Sequence, residues 1–181
     1  MKKYFVLFAL ILITSIPGLA QTNAKPAEGK KVVVAVDKSA VAEDKFDPTR
    51  DPVADLKIAV TRAQAEGKRI ILDVGGEWCS WCHFLDSFFA KNTELMKLRE
   101  DNFIWLKINM SEENENTAFL GAYPAVPGYP HLFVLEKDGA FLHSQGTAIL
   151  ELGKSYDIGK MNEFLNKWSP AKPPPAAAPA K

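Results

Sequence analysis

The two cysteines of this 181-residue chain, Cys79 and Cys82, are separated by only two residues and follow an apolar segment. They lie in the run Trp-Cys-Ser-Trp-Cys-His, and residues 69–74, Arg-Ile-Ile-Leu-Asp-Val, precede it as a predicted buried strand. A disulfide between such close neighbours closes too small a loop to brace a fold. We therefore assign the thiols to chemistry, which could be redox exchange, metal binding or haem attachment.

The N-terminus has the three-part form of a secretory signal peptide. Lysines at the start precede an apolar run over residues 4–16, and a helix-breaking Pro-Gly pair leads to a small-residue ending at Ala20. The apolar run is shorter than the ~20 residues that a membrane-spanning helix needs. We predict that residues 1–20 are cleaved and that the mature protein is periplasmic or secreted, where a lone cysteine pair can be redox-active.

Composition predicts one balanced globular domain with flexible ends. Lys plus Arg and Asp plus Glu are both 22, so nothing in the charge suggests a nucleic-acid partner. The roughly 160 residues left after cleavage fit one domain. We assign residues 21–51 to an N-terminal extension, 52–168 to the domain and 169–181 to a disordered Pro/Ala-rich tail, and we expect a monomer.

The spacing of apolar residues predicts an alternation of helices and strands. In chain order we expect a helix over residues 52–67, a strand over 70–74, a helix from the cysteine motif to about 99, a strand over 103–108, a short helix over 112–121, strands over 131–136 and 140–143, and a closing helix near 158–168. The two late strands flank Lys137-Asp138-Gly139, and an Asp-Gly pair is a strong hairpin signal. This order predicts an α/β fold: a central mixed β-sheet with helices on both faces.

Several motifs stand at matching relative positions in a known family. Asp73 lies six residues before Cys79, Lys107 lies in the second predicted strand, and residues 126–131, Val-Pro-Gly-Tyr-Pro-His, precede the hairpin. With these motifs in this order, residues of about 53 to 168 resemble the thioredoxin superfamily, in particular secreted members with a Trp-Cys-x-x-Cys active site. The resemblance implies a buried carboxylate at Asp73, a nearby Lys107, a cis-proline at Pro130, and no organic cofactor or metal.

Two departures from the family pattern bear on specificity. Ser80 and Trp81 stand between the cysteines in place of the Gly-Pro of cytosolic thioredoxins, and His131 replaces the usual threonine. The resemblance implies that both positions tune redox potential and partner choice. We therefore place Trp81 and His131 among the substrate-binding residues.

The chemistry of thiols assigns separate roles to the two cysteines. Cys79, at a helix start, meets the positive end of the helix dipole and unpaired N–H groups, which lower a thiol pKa and favour the nucleophilic thiolate. Cys82, one turn further in, is then the resolving thiol. Asp73 in an apolar strand would have a raised pKa and could take the Cys82 proton, unless it faces water at the strand end. Lys107 is either its partner or a strand lysine whose amine extends to solvent.

Residues near the cysteines are candidates for substrate contact. A cis bond at Pro130 would turn the backbone of Tyr129 toward the sulfurs, where it could pair with an extended substrate strand. Trp78 could shield the thiols and contact substrate, or it could simply pack against the domain. His83 could shift the electrostatics of the thiols or lie on the surface.

Three other readings of the motif are less well supported. Cys79-x-x-Cys82-His83 is also a c-type haem attachment motif, but the bulky tryptophan inside it and the absence of an obvious second ligand loop argue against haem. Zinc would need His83, His131 or His143, whose spacing is not that of a finger. A non-enzymatic binding module of this fold commonly loses a cysteine, whereas this chain keeps both.

The sequence thus predicts a thiol-disulfide oxidoreductase that acts on protein disulfides. Because the chain has no further cysteines, a second dithiol protein must exchange electrons with it, and a membrane-embedded reductase is one candidate. We expect a reductase rather than an oxidase, although the motif itself is compatible with reduction, oxidation or isomerisation.

Overall fold

A four-stranded mixed sheet forms the centre of the computed structural model, which describes residues 45–171. Its strands are β1 (Arg69–Gly75), β2 (Phe103–Asn109), β3 (His131–Leu135) and β4 (Phe141–Gly146), in the order β2-β1-β3-β4. β1 and β2 are parallel, whereas β3 is antiparallel to both β1 and β4. β1, β2 and β3 are buried along most or all of their length, as their nearly continuous apolar sequences predict.

Between residues 45 and 171, five α-helices surround the sheet. They are α1 (Pro52–Glu66), α2 (Ser80–Lys91), α3 (Thr93–Asn102), α4 (Thr117–Leu120) and α5 (Ile158–Trp168). Between β4 and α5 the chain forms a 3-10 helix (Thr147–Leu150) and a small hairpin of β5 (Glu151–Leu152) and β6 (Ser155–Tyr156). α1 is capped at its start by the Asp51 carboxylate and at its end by Gly67, whose φ of +69° suits glycine.

The two faces of the sheet carry separate apolar cores. Successive strand residues point to opposite faces. Ile70, Leu72 and Val74 pack with Ala59 and Ala63 of α1 on one face. The other core joins Ile71 and strand residues of β2 and β3 to α2, α3 and α5. The predicted α/β architecture with helices on both faces is therefore confirmed.

The predicted helix from the cysteine motif to residue 99 is wrong in one respect, because it is two helices. The chain leaves helical geometry at Asn92, with φ −117° and ψ 79°. The side-chain amide of Asn92 donates to the carbonyl of Phe88 at 2.7 Å. Such side-chain bonds compete with helical ones, and apolar residues that continue beyond the break hide it from a periodicity reading.

The helix predicted over residues 112–121 is reduced to α4. Asparagine side chains hold the preceding loop: Asn109 Nδ2 donates to the Asn114 carbonyl at 2.8 Å, and Asn116 Nδ2 donates to the Asn109 carbonyl at 2.7 Å. Asn116 itself has a φ of +48°, in the left-handed region that asparagine tolerates. These local bonds hold residues 110–116 in a loop, so the helix begins at Thr117 rather than at the predicted residue 112.

The hairpin predicted at the Asp-Gly pair is confirmed. Gly139 has a φ of +90°, and the Glu136 N–H donates to the Ala140 carbonyl at 2.8 Å. β4 continues to Gly146, beyond the predicted end at residue 143. The predicted signal peptide, most of the extension and the end of the Pro/Ala-rich tail lie outside the described residues. Within residues 45–171, no helix has the length and apolar character that crossing a membrane requires.

Candidate active site

The cysteine pair lies where β1 gives way to α2. Cys79 is the N-cap residue of α2, and its sulfur accepts a hydrogen bond from the Cys82 N–H at 3.2 Å. The two sulfurs are joined as a disulfide. Cys79 is 4% exposed and Cys82 1% exposed. The predicted helix start at the cysteines is confirmed. The role of Cys79 as the attacking thiolate stays a prediction.

Phe46 covers the disulfide from the segment before α1. It is 1% exposed, packs against both cysteines, and its N–H donates to Glu77 Oε1 at 2.8 Å. Gly75 makes room for this arrangement, because a Cβ there would lie 2.5 Å from Cys82 Sγ and 3.0 Å from Phe46 Cζ. Phe46 was not among the predicted site residues, since nothing local in its sequence links it to residues more than 30 positions away.

Asp73 is buried in β1 rather than facing water. It is 1% exposed, its Oδ2 accepts from Trp105 Nε1 at 3.0 Å, and Lys107 Nζ lies 3.6 Å from the same oxygen. Asp73 Oδ1 has no hydrogen-bond partner within residues 45–171. Burial raises the pKa of Asp73, opposed by the charge of Lys107 and the bond from Trp105. The carboxylate is placed as the sequence predicted, and its proton-transfer role stays a prediction.

Lys107 lies between Asp73, a second carboxylate on Asp86, and the Phe46 ring that covers the disulfide. Its ammonium donates to both oxygens of Asp86, at 2.8 and 2.9 Å, and lies 4.1 Å from the centre of the Phe46 ring. Lys107 is 4% exposed, so the alternative of a solvent-directed strand lysine is wrong. Asp86 was not predicted, although its position one helical turn after Cys82 was a usable signal.

The segment before β3 has the geometry that the family resemblance implies. The Tyr129–Pro130 peptide bond is cis, and Pro130 is buried. The Tyr129 ring lies edge-on to Trp78, with centroids 5.6 Å apart, and packs against the cysteine cluster. The structure therefore brings Tyr129 and Pro130 to the same region as the cysteines.

His131 lies inside the sheet. It is 2% exposed, and its Nε2 is 2.8 Å from Ser144 Oγ, while its Nδ1 has no partner in the described part of the chain. Burial, and then the neighbouring His143, lower the pKa of His131. Direct contact with substrate stays a prediction for His131, and its burial does not favour it.

The two tryptophans of the motif have different surroundings. Trp78 is 59% exposed, and its Nε1 donates to the Met110 carbonyl at 2.7 Å. Trp78 lines an open cleft of about 560 Å³ with Met110 and the acidic loop of residues 111–115. Trp81 is half-buried, edge-on to Phe84 and Tyr156 with centroids 5.4 and 5.7 Å apart.

The histidines do not gather around the cysteines. His83 is exposed, with Nε2 2.8 Å from the Glu77 carbonyl, and His143 stacks on Trp168 with centroids 4.5 Å apart. Among residues 45–171, no three His, Cys, Asp or Glu side chains converge to hold a metal ion. What the geometry assembles is a thiol pair at a helix start, covered by Phe46, whose ring in turn lies against the lysine of a buried acid–lysine pair. A thiol pair at a helix start is suited to disulfide exchange.

A βαβ unit followed by a β-hairpin and a helix, with Cys-x-x-Cys at the first helix after β1 and a cis-proline before β3, defines a thioredoxin-like protein. Residues 51–137 match the family model described as thioredoxin-like. Over these residues the chain is similar to the thioredoxin superfamily.

Curated relatives and a solved structure agree with this placement. The chain is 28% identical over 130 residues to a thiol:disulfide interchange protein DsbD from a Pseudomonas species, covering 71% of this chain and 21% of the relative. It is 25% identical over 134 residues to the DsbD of Pseudomonas fluorescens, covering 74% and 21%. The chain thus spans about a fifth of the length of these relatives. A disulphide isomerase from Xylella fastidiosa Temecula1 shares the fold, with a TM-score of 0.55, 24% identity and coverage of 67% of this chain and 94% of that one.

Proposed function

We propose that this protein is a thiol-disulfide oxidoreductase that acts on protein disulfides through Cys79 and Cys82. The observation that carries the proposal is the position of Cys79 at the N-cap of α2, in a pair with Cys82 and covered by Phe46, whose ring lies against Lys107 of the buried Asp73–Lys107 pair. The printed names of the relatives, thiol:disulfide interchange protein and disulphide isomerase, support the same class of reaction.

In the reducing direction, the Cys79 thiolate attacks one sulfur of a substrate disulfide. A mixed disulfide forms between Cys79 and that sulfur, and the other substrate sulfur leaves as a thiolate that takes up a proton. The Cys82 thiolate then attacks the Cys79 sulfur, which closes the Cys79–Cys82 disulfide and releases the second substrate thiolate. Two electrons pass from the protein to the substrate.

The second attack requires Cys82 to lose its proton in an enclosed site. We assign this proton to Asp73, whose burial raises its pKa and makes it a better base than an ordinary carboxylate. Lys107 is 3.6 Å from Asp73 and bonded to Asp86, so it can balance the charge on either carboxylate. Asp73 thus accepts the proton, and Lys107 balances the charge. Trp78, Trp81 and Tyr129 form the surface that contacts substrate.

The direction that we favour is reduction, in a periplasmic or secreted protein whose signal peptide ends near Ala20. A partner dithiol protein then regenerates the Cys79–Cys82 thiols, because the chain contains no other cysteine. A membrane-embedded reductase would fit this role. The site needs no organic cofactor or metal for these steps.

The decisive experiment is the reduction potential of the Cys79–Cys82 couple, measured on the purified mature protein in thiol redox buffers and combined with an insulin reduction assay. A potential near −270 mV suits a reductase, and one near −120 mV suits an oxidase. Insulin reduction that disappears in Cys79→Ser would support the proposal. Failure of the wild-type protein to reduce, oxidise or isomerise any protein disulfide would reject it.

A further inference from the structure

Two buried hydroxyl groups lie beside the candidate active site. Both belong to the stretch of chain between β4 and α5, outside the cysteine motif. Thr147 begins the 3-10 helix after β4, and Tyr156 ends β6. Each residue is 4% exposed. Buried hydroxyls are costly unless they are hydrogen-bonded, so their partners reveal what the segment holds in place.

Each hydroxyl bonds to a backbone carbonyl of a different active-site segment. Thr147 Oγ1 donates to the carbonyl of Pro130 at 2.7 Å. The Tyr156 hydroxyl donates to the carbonyl of Trp81 at 3.3 Å. One bond therefore reaches the proline segment before β3, and the other reaches the residue between the two cysteines.

Tyr156 contacts the active-site segment through its ring as well as its hydroxyl. Burial raises the pKa of the Tyr156 hydroxyl, as expected for a phenol enclosed in the core. The Tyr156 ring additionally packs edge-on against Trp81, with centroids 5.7 Å apart. Each hydroxyl thus ties one active-site segment to the stretch of chain between β4 and α5.

We propose that Thr147 and Tyr156 are positioning residues for protein substrates, which hold the Pro130 and Trp81 segments at the separation that an extended substrate strand requires. This inference rests on the proposed function, because only disulfide exchange with a polypeptide needs both segments at once. A small disulfide meets Cys79 without pairing to either backbone. Loss of a hydroxyl should therefore slow exchange with proteins and spare exchange with small molecules.

The test compares insulin with dithiobis(nitrobenzoate), a small aromatic disulfide, as substrates of the reduced full-length mature protein. Tyr156→Phe removes the hydroxyl and keeps the ring on Trp81, and Thr147→Val removes the other hydroxyl at nearly constant volume. Because a hydrogen bond contributes on the order of 1 kcal/mol, we expect kcat/KM for insulin to fall about fivefold in each variant. The rate with the small disulfide should stay within about twofold of wild type, and Thr147→Ser should restore insulin reduction.

Two control variants remove equivalent hydroxyls away from the site. Tyr123→Phe changes a tyrosine that stacks on Phe133 in the core next to α1, with centroids 4.9 Å apart. Thr61→Val removes a hydroxyl that donates to the Lys57 carbonyl within α1 at 3.0 Å. Neither control should change the ratio of insulin to small-disulfide rates.

The ratio of the two rates separates the possible outcomes. Equal losses on both substrates, or ratios no different from those of the controls, would overturn the positioning role while leaving the proposed function intact. A wild-type protein inactive on both substrates would reject the proposed function and this inference together. If Thr147→Val does not fold, Tyr156→Phe alone decides the question by the same ratio.

Discussion

The side chains on the outer side of the disulfide differ from those on its inner side in their exposure to solvent. The outer side consists of Trp78, Met110 and the acidic loop of residues 111–115, which border an open cleft. The inner side consists of Phe46 and Trp81, packed against the cysteines, and of Lys107, which lies against the Phe46 ring and is paired with Asp73. Side chains on the outer side are largely solvated, whereas most of those on the inner side are buried.

The comparison teaches that two tryptophans in one short motif can have unlike roles. Trp78 keeps more than half of its surface in water and is held by one hydrogen bond to Met110 and one edge-on contact with Tyr129. Trp81 is held on two sides by aromatic rings and lies near both the cysteine cluster and the main core. We therefore expect changes on the inner side to affect chemistry and stability more strongly, and changes on the outer side to affect mainly substrate binding.

The largest effect is expected at the cysteines, where the two sides meet. Cys79→Ser should abolish protein-disulfide reduction, because it removes the attacking thiolate. Cys82→Ser should instead accumulate a mixed disulfide between Cys79 and substrate, since the resolving attack is lost. Non-reducing electrophoresis and mass spectrometry of the trapped complex distinguish the two variants. A Cys79→Ser protein that still forms the mixed disulfide, through Cys82, would reverse the assigned roles.

The next largest effect is expected at Asp73 on the inner side. Asp73→Asn keeps an acceptor for Trp105 but removes the base, so the resolving step should slow about 100-fold. Single-turnover release of substrate from the mixed disulfide measures this step directly. Asp86→Asn is the matched control, because it removes the other carboxylate bonded to Lys107. Equal rates in Asp73→Asn and wild type would show that Asp73 is not the base.

The same variant makes a prediction for stability against pH. Because the folded pKa of Asp73 lies above its ordinary value near 3.8, the folded state binds this proton more tightly than the unfolded state does. The contribution of Asp73 to stability is thus fully present below that value and is lost as pH rises through the folded pKa. Asp73→Asn should raise the free energy of unfolding at neutral pH, and the gain should vanish in acid. Urea unfolding of the oxidised proteins across pH checks the sign.

A smaller effect on stability should separate the tryptophans. Trp81→Ala is expected to lower the free energy of unfolding by about 2 kcal/mol, because a half-buried aromatic side chain and its ring contacts are lost. Trp78→Ala should cost less than about 1.5 kcal/mol, because a largely exposed side chain loses one hydrogen bond and one ring contact. Denaturant unfolding of both variants, with Trp81→Phe as an intermediate, makes the comparison. Equal losses would contradict the division into outer and inner sides.

The smallest effect is expected from Trp78 on activity. Trp78→Ala should reduce kcat/KM for a protein disulfide by roughly threefold through KM, because an exposed contact contributes to binding rather than to the chemical step. The reduction potential of the Cys79–Cys82 couple should not change. A fall in kcat at unchanged KM would place Trp78 in the chemistry instead.

Local sequence patterns were sufficient for the framework of the site. The apolar run before the cysteines, the helical spacing after them and the Asp-Gly pair each act over a few residues, and the strand, the helix start and the hairpin all appear where they were predicted. The helix break at Asn92 was not predicted, because the apolar pattern continues through it. Periodicity records which face is buried and not whether each backbone bond is made.

The remaining parts of the site depend on contacts between distant residues. Phe46 bonds to Glu77 across 31 positions, and Tyr156 bonds to Trp81 across 75. No spacing rule connects such residues in a single sequence. Asp86 is different, since its distance of one helical turn from Cys82 was visible beforehand, and recognising it needed only the helix prediction already made.

The glycine at the end of β1 has a consequence for protein engineering. β-branched residues are usually more stable than glycine in a strand, so strand propensity alone would suggest replacing Gly75 with such a residue. There is no volume for even a methyl group between the Cys82 sulfur and the Phe46 ring. A combinatorial library that randomises position 75 under selection for a closed disulfide should return glycine almost exclusively, unless position 46 is allowed to shrink in the same clones.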